Sequence, residues 1–195
     1  MRRYLVPVVL IATAGYLANV REPTSVGFYS PDDSLVTNTT SVEAVPQKIT
    51  ILVGDELKAI QSLSDSGGDF VASYIPGVAS PGLEDYDEAF RLWQISDSPS
   101  HTSQEVVDVL GSYLGNRCVS DFDMEWVLVE DEYGTDYAVR GKTIDVMAFP
   151  FSSVLKRIES QQYKFMLGIY NAVGESIESG RYRKRDPGES GQQTG

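Results

Sequence analysis

The sequence predicts an α+β domain: helices packed on a small three-stranded antiparallel sheet (a meander), with helix-rich stretches before and after the sheet. Three observations carry that expectation. From Leu57 to Cys118 the apolar residues recur at helical spacing. From Met124 to Phe149 the pattern changes to short β-rich runs separated by turn residues. After Pro150 the helical spacing returns.

Ile49–Val53 (ITILV) is a short apolar run before Gly54-Asp55, and Leu57, Ile60 and Leu63 follow at helix spacing. Phe70, Val71 and Tyr74 extend that face beyond a break at Gly67-Gly68, and Pro76 to Gly82 is a loop. Leu83–Ile95 places Tyr86, Ala89, Phe90 and Trp93 on one face. Glu84, Asp85, Asp87 and Glu88 charge its first turns, where carboxylates suit the helix dipole. Thr102-Ser-Gln-Glu105 is a capping box, and its helix turns Val106, Val109, Leu110, Tyr113, Leu114 and Cys118 inward. Gly111 and Gly115, one turn apart, admit a close neighbour at about 1 kcal/mol of propensity each.

MEWVLVED from Met124 is the first strand, Glu132-Tyr133-Gly134 a turn, and TDYAVR the second strand. Tyr137 and Val139 face one way, and Asp136, Ala138 and Arg140 the other. Gly141-Lys142 turns into a third strand, IDVMAF. Pro150 opens a helix where its missing N–H costs nothing, with Phe151, Val154, Leu155 and Ile158 inward. The last helix presents Met166, Ile169, Tyr170, Val173 and Ile177. Trp93 and Trp126 lie on apolar faces and are read as core.

A family resemblance rests on four stretches of this pattern. Asp87-Glu-Ala-Phe-Arg-Leu-Trp93 and Leu110-Gly-Ser-Tyr-Leu-Gly115 are two of them. The others are Trp126-Val-Leu-Val-Glu-Asp-Glu-Tyr-Gly134 and Phe149-Pro-Phe-Ser-Ser-Val-Leu-Lys-Arg157. Over approximately Asp55 to Val173 the chain resembles a bacterial domain-of-unknown-function family, DUF3806. The resemblance implies the same order of helices and strands, and it brings no activity with it.

There are 16 Lys+Arg against 28 Asp+Glu, a formal net charge of −12, with one His and one Cys. Those two counts exclude histidine-cluster and thiolate metal sites and an internal disulfide framework. Residues 22–180 hold 26 acids and 9 bases. So acidic a body repels phosphate backbones, which argues against nucleic acid and leaves solubility or a basic protein partner as the use of the excess.

Arg2-Arg3, the apolar run Tyr4–Ala18 and Ala12-Thr13-Ala14 read residues 1–21 as a signal peptide or membrane anchor. The run falls short of the ~20 residues of a straight membrane span. Continued through residues 4–20, it gives the chain a route to membrane association. The expected location is the cell envelope, with the cytoplasm as alternative. Residues 22–47 read as a flexible tether, 48–180 as a single α+β domain, and 181–195 as a basic, then disordered, tail. The oligomeric state is not set by the sequence.

Asp121, Asp123, Glu125, Glu130, Asp131, Glu132 and Asp136 form a run of acids without a base. On a strand, Asp121, Asp123 and Glu125 would share a solvated face. No calcium-loop spacing occurs, so no metal or cofactor is assigned, and no catalytic residue. Glu130, Asp131, Glu132 and Asp136 are the candidate partner-binding residues, placed at or beside a hairpin turn. His101, in Ser-Pro-Ser-His-Thr, is expected to be an exposed loop histidine. Two functional classes stay open: a non-catalytic acidic binding domain, with a toxin-neutralising immunity protein as one version by analogy, and a hydrolase using carboxylates of residues 121–136.

Overall fold

Helical spacing and capping chemistry give six helices among the described residues, which in this computed structural model are 47–132 and 134–179. The expected leader, almost all of the tether and the tail lie outside them. The order is β1 (Lys48–Ile51), α1 (Gly54–Asp65), α2 (Gly67–Tyr74), α3 (Leu83–Gln94), α4 (Ser103–Asp121), β2 (Met124–Asp131), β3 (Gly134–Gly141), β4 (Met147–Ala148), α5 (Pro150–Ser160) and α6 (Met166–Glu178). The class is α+β, as expected.

The sheet has four strands rather than three, in the order β1-β2-β3-β4. The apolar run before Gly54 supplies the extra strand, beside β2. The expected third strand shrinks to Met147–Ala148, with Val139 opposite Ala148 and Arg140 opposite Met147. Its first residues are spent on a tight turn: Val146 N donates to Ile144 O, and Gly141 N to Val146 O.

The chain divides into two compact units. Among the described residues one holds Ile49–Val129 and 136–179; the other includes Lys48, 130–132 and 134–135. In the larger unit α4 is the central helix, packed against α1 and α5. Thr102 and Glu105 close its N-terminus reciprocally. Thr102 N donates to Glu105 Oε2 at 2.7 Å, and Glu105 N to Thr102 Oγ1 at 3.3 Å. Val106, Leu110, Leu114 and Cys118 are fully buried. Burial pushes the Cys118 thiol up to about 12, which removes it as a nucleophile.

Gly111 and Gly115 open a notch in α4 that aromatic side chains fill. A methyl group at Gly111 would collide with Phe151, and one at Gly115 with the ring of Trp126. The helix-propensity cost is about 1 kcal/mol per glycine. Burying a large apolar side chain is worth up to about 3 kcal/mol, so the exchange is favourable.

β2 reads as an almost continuous apolar run because both its faces are covered. Met124 and Trp126 belong to the helix-side core with Val139. Val127 and Val129 form a second cluster with Ala138, flanked by Ile49, Met147 and Phe149. That split confirms the expected alternation of Ala138 against Val139.

Candidate functional site

The acidic run does not lie on one strand. Asp121 ends α4, and Asp123 occupies the turn after it at a φ of 49°. The expectation that Asp121, Asp123 and Glu125 share a strand face is therefore corrected: α4 continues through Asp121, and pairing begins only at Met124. Nor does the run lack cations in space. Arg117 Nη2 stands 2.7 Å from Asp121 Oδ2, Lys142 Nζ 2.9 Å from Asp123 Oδ1, and Arg140 Nη2 2.9 Å from Glu125 Oε1. Hydrogen bonds from Ser120 and Tyr170, with the Arg117 charge, hold the Asp121 carboxyl below its ordinary range.

In the smaller unit Lys48 Nζ donates to Glu130 Oε2 at 2.6 Å, and Gln47 Nε2 lies 3.4 Å from Asp131 Oδ2. The Lys48 and Glu130 side chains are 73% and 38% exposed, so solvent screens the pair. Glu132 is exposed. Glu130 and Asp131 end β2, and Glu132 follows in the turn to β3.

Asp136 belongs to the larger unit and has a different environment. It is half-buried on β3 and accepts a hydrogen bond from Ser152 Oγ in the first turn of α5. Burial raises its pKa, opposed by the Ser152 and Tyr137 hydrogen bonds and by the Lys156 charge.

Two groupings escaped the sequence reading. Asp87 is only 4% exposed, and its carboxylate accepts the N–H groups of Phe165 and Met166 at 2.9 Å each and of Leu167 at 3.3 Å. It caps the N-terminus of α6 from α3, satisfying donors that no side chain of α6 itself reaches. Burial raises its pKa, while those three N–H groups and Lys164 pull it down. The spacing Leu83, Asp87, Phe90 already turns Asp87 towards the apolar face of α3, and that is the signal that could have found it.

His101 is the second case, and the expected exposed position is corrected: the ring is half-buried, edge-on to Phe70 at a centroid distance of 5.2 Å. Tyr74 Oη lies 3.2 Å from His101 Nδ1, and Ser100 Oγ donates to Tyr74 Oη at 3.1 Å. Trp93 Nε1 donates to the carbonyl of His101 at 2.9 Å. The cluster fastens the loop before α4 to α2 and α3. Trp93 and Trp126, 6% and 3% exposed, are core residues as expected.

Among the described residues no group of three or more His, Cys, Asp or Glu could hold a metal ion, and no helix is long and apolar enough to cross a membrane. What the geometry defines is an acidic α+β domain whose buried carboxylate, Asp87, caps a helix while Glu132 faces solvent in a turn. Residues 89–170 match the family described as domain of unknown function (DUF3806), the family that the sequence resembles. The match begins within α3 and ends within α6, a shorter stretch than Asp55 to Val173. No curated protein and no solved structure matches the chain.

Proposed function

We propose that this is a non-catalytic binding domain that meets a basic protein partner with Glu130, Asp131 and Glu132, the carboxylates at the end of β2 and the start of the turn after it. One observation carries the reading. In a chain of net charge −12, Asp121, Glu125 and Asp136 are held by Arg117, Arg140 and Ser152 with their carboxylates mostly covered, whereas Glu132 is exposed in the turn and Glu130 beside it meets only the solvent-screened Lys48. Exposed charges of this kind act mainly by steering encounter. An immunity-like role, in which the domain neutralises a basic toxin, is the concrete version by analogy of size and charge.

The test is the association rate with a lysine-rich peptide, and then with a basic protein that co-purifies from native cells. Changing Glu130→Gln, Asp131→Asn and Glu132→Gln together should slow association severalfold and flatten its dependence on salt. Unchanged rates sink the reading. The same proposal places the domain in the cell envelope, on the strength of Arg2-Arg3 and the apolar Tyr4–Ala18. Mass spectrometry of the native protein should then find a new N-terminus near Gly15 or an intact chain in the membrane fraction.

The hydrolase alternative narrows to Asp136, the carboxyl of the run whose pKa burial raises. Loss of a measured hydrolytic activity in Asp136→Asn, with peptide binding intact, would favour it.

A further inference from the structure

Gln47 and Lys48, where β1 begins, each meet a carboxylate at the end of β2. Lys48 Nζ lies 2.6 Å from Glu130 Oε2, and Gln47 Nε2 lies 3.4 Å from Asp131 Oδ2. The residue number falls along one strand as it rises along the other, so these are successive cross-strand pairs of an antiparallel ladder. Successive residues turn to opposite faces, so the two carboxylates are met from both sides of the strand pair. The backbone holds Lys48 beside Glu130 whatever the side chains do. Among the described residues no other cation pairs with Glu130. Lys48 thus brings to Glu130 the group that a basic partner would bring, an ammonium on a flexible stem.

On the reading that the end of β2 is the partner surface, we propose that Lys48 is a built-in competitor, holding on Glu130 the seat that a lysine of the partner must take. The two side chains are 73% and 38% exposed, so the pair is weak and opens readily. Lys48 therefore lowers affinity without closing the site. Glu130 receives a partner only while the pair is open, and apparent affinity falls in proportion to that fraction. For an exposed pair the reduction is about two- to sixfold. Salt screens the competitor as it screens the partner, so the penalty shrinks as ionic strength rises.

The experiment measures binding of a lysine-rich peptide to the full chain at low salt. Lys48→Gln should bind about two- to sixfold more tightly than the unaltered chain. Removing any lysine makes the chain more negative, so Lys58→Gln is the control. Lys58 pairs with Asp55 on α1, and its loss changes the net charge equally. It should gain clearly less. In a Glu130→Gln background the Lys48→Gln change should gain no more than Lys58→Gln does, because the contested seat is gone. Both lysines are exposed, so circular-dichroism melts should match that of the unaltered chain. Lys48→Thr, a residue suited to strands, serves the same comparison if glutamine loosens β1. Equal gains from Lys48→Gln and Lys58→Gln overturn the competitor and leave the partner surface standing. Peptide binding that ignores the combined change of Glu130, Asp131 and Glu132 to amides overturns both.

Discussion

Asp87 and Glu132 are carboxylates of the same acidic chain, and they differ in what meets their charge. Asp87 is buried and answered by three backbone N–H groups of another helix. Glu132 is exposed in a turn, where water does the same work at no structural cost. Asp136 falls between them, half-buried with one hydroxyl donor from α5. The comparison shows that net charge is a poor guide to where an acidic protein can bind. A carboxylate is open to a partner only when the fold has not already used it.

The largest expected effect tests the buried end of that comparison. Asp87→Ala should destabilise by about 3 kcal/mol in urea melts, because three helix N–H groups lose their acceptor in a buried site. Asp87→Asn keeps one acceptor oxygen and should cost about 1 kcal/mol. Equal losses for the two variants would mean that the charge, not the capping geometry, matters.

A smaller effect concerns the intermediate case. Burial raises the pKa of Asp136 in the folded state, so the native protein holds this proton more tightly than the unfolded chain. Its contribution to stability is therefore full at pH values below the unfolded carboxyl's pKa and declines as pH rises through the higher, folded one. Stability of the unaltered protein, measured relative to Asp136→Asn, should fall as pH rises through and above the ordinary aspartate range. A rise there would reverse the assignment of burial as the dominant cause.

The smallest effect is expected at the turn. Glu132→Gln should change folding stability by no more than about 0.5 kcal/mol by thermal or urea denaturation, since an exposed charge contributes little. A loss of 2 kcal/mol or more, roughly the scale of a broken buried network, would make Glu132 structural and erase the contrast with Asp87.

Much of the fold is legible in the sequence because its signals are local. The Thr102–Glu105 capping box, Pro150 at the first position of α5 and the apolar stripes of α3 and α4 depend on residues three or four positions apart. The notch of Gly111 and Gly115 is legible as a close approach, but not as the seat of Phe151 and Trp126. β1 was visible only as an apolar run, because four residues carry too little periodicity to announce a strand.

Composition and local spacing by themselves determined the α+β class, the helix starts and the acidity of the surface. The tertiary structure alone decided which acids remain available. Asp87 meets Met166 across 79 positions, Arg140 meets Glu125 across 15, and Lys142 meets Asp123 across 19. A charge is neutralised by whatever the fold brings within about 4 Å, where the interaction is strong. Sequence separation does not enter that distance, so a run of acids that looks unpaired along the chain is largely paired in space.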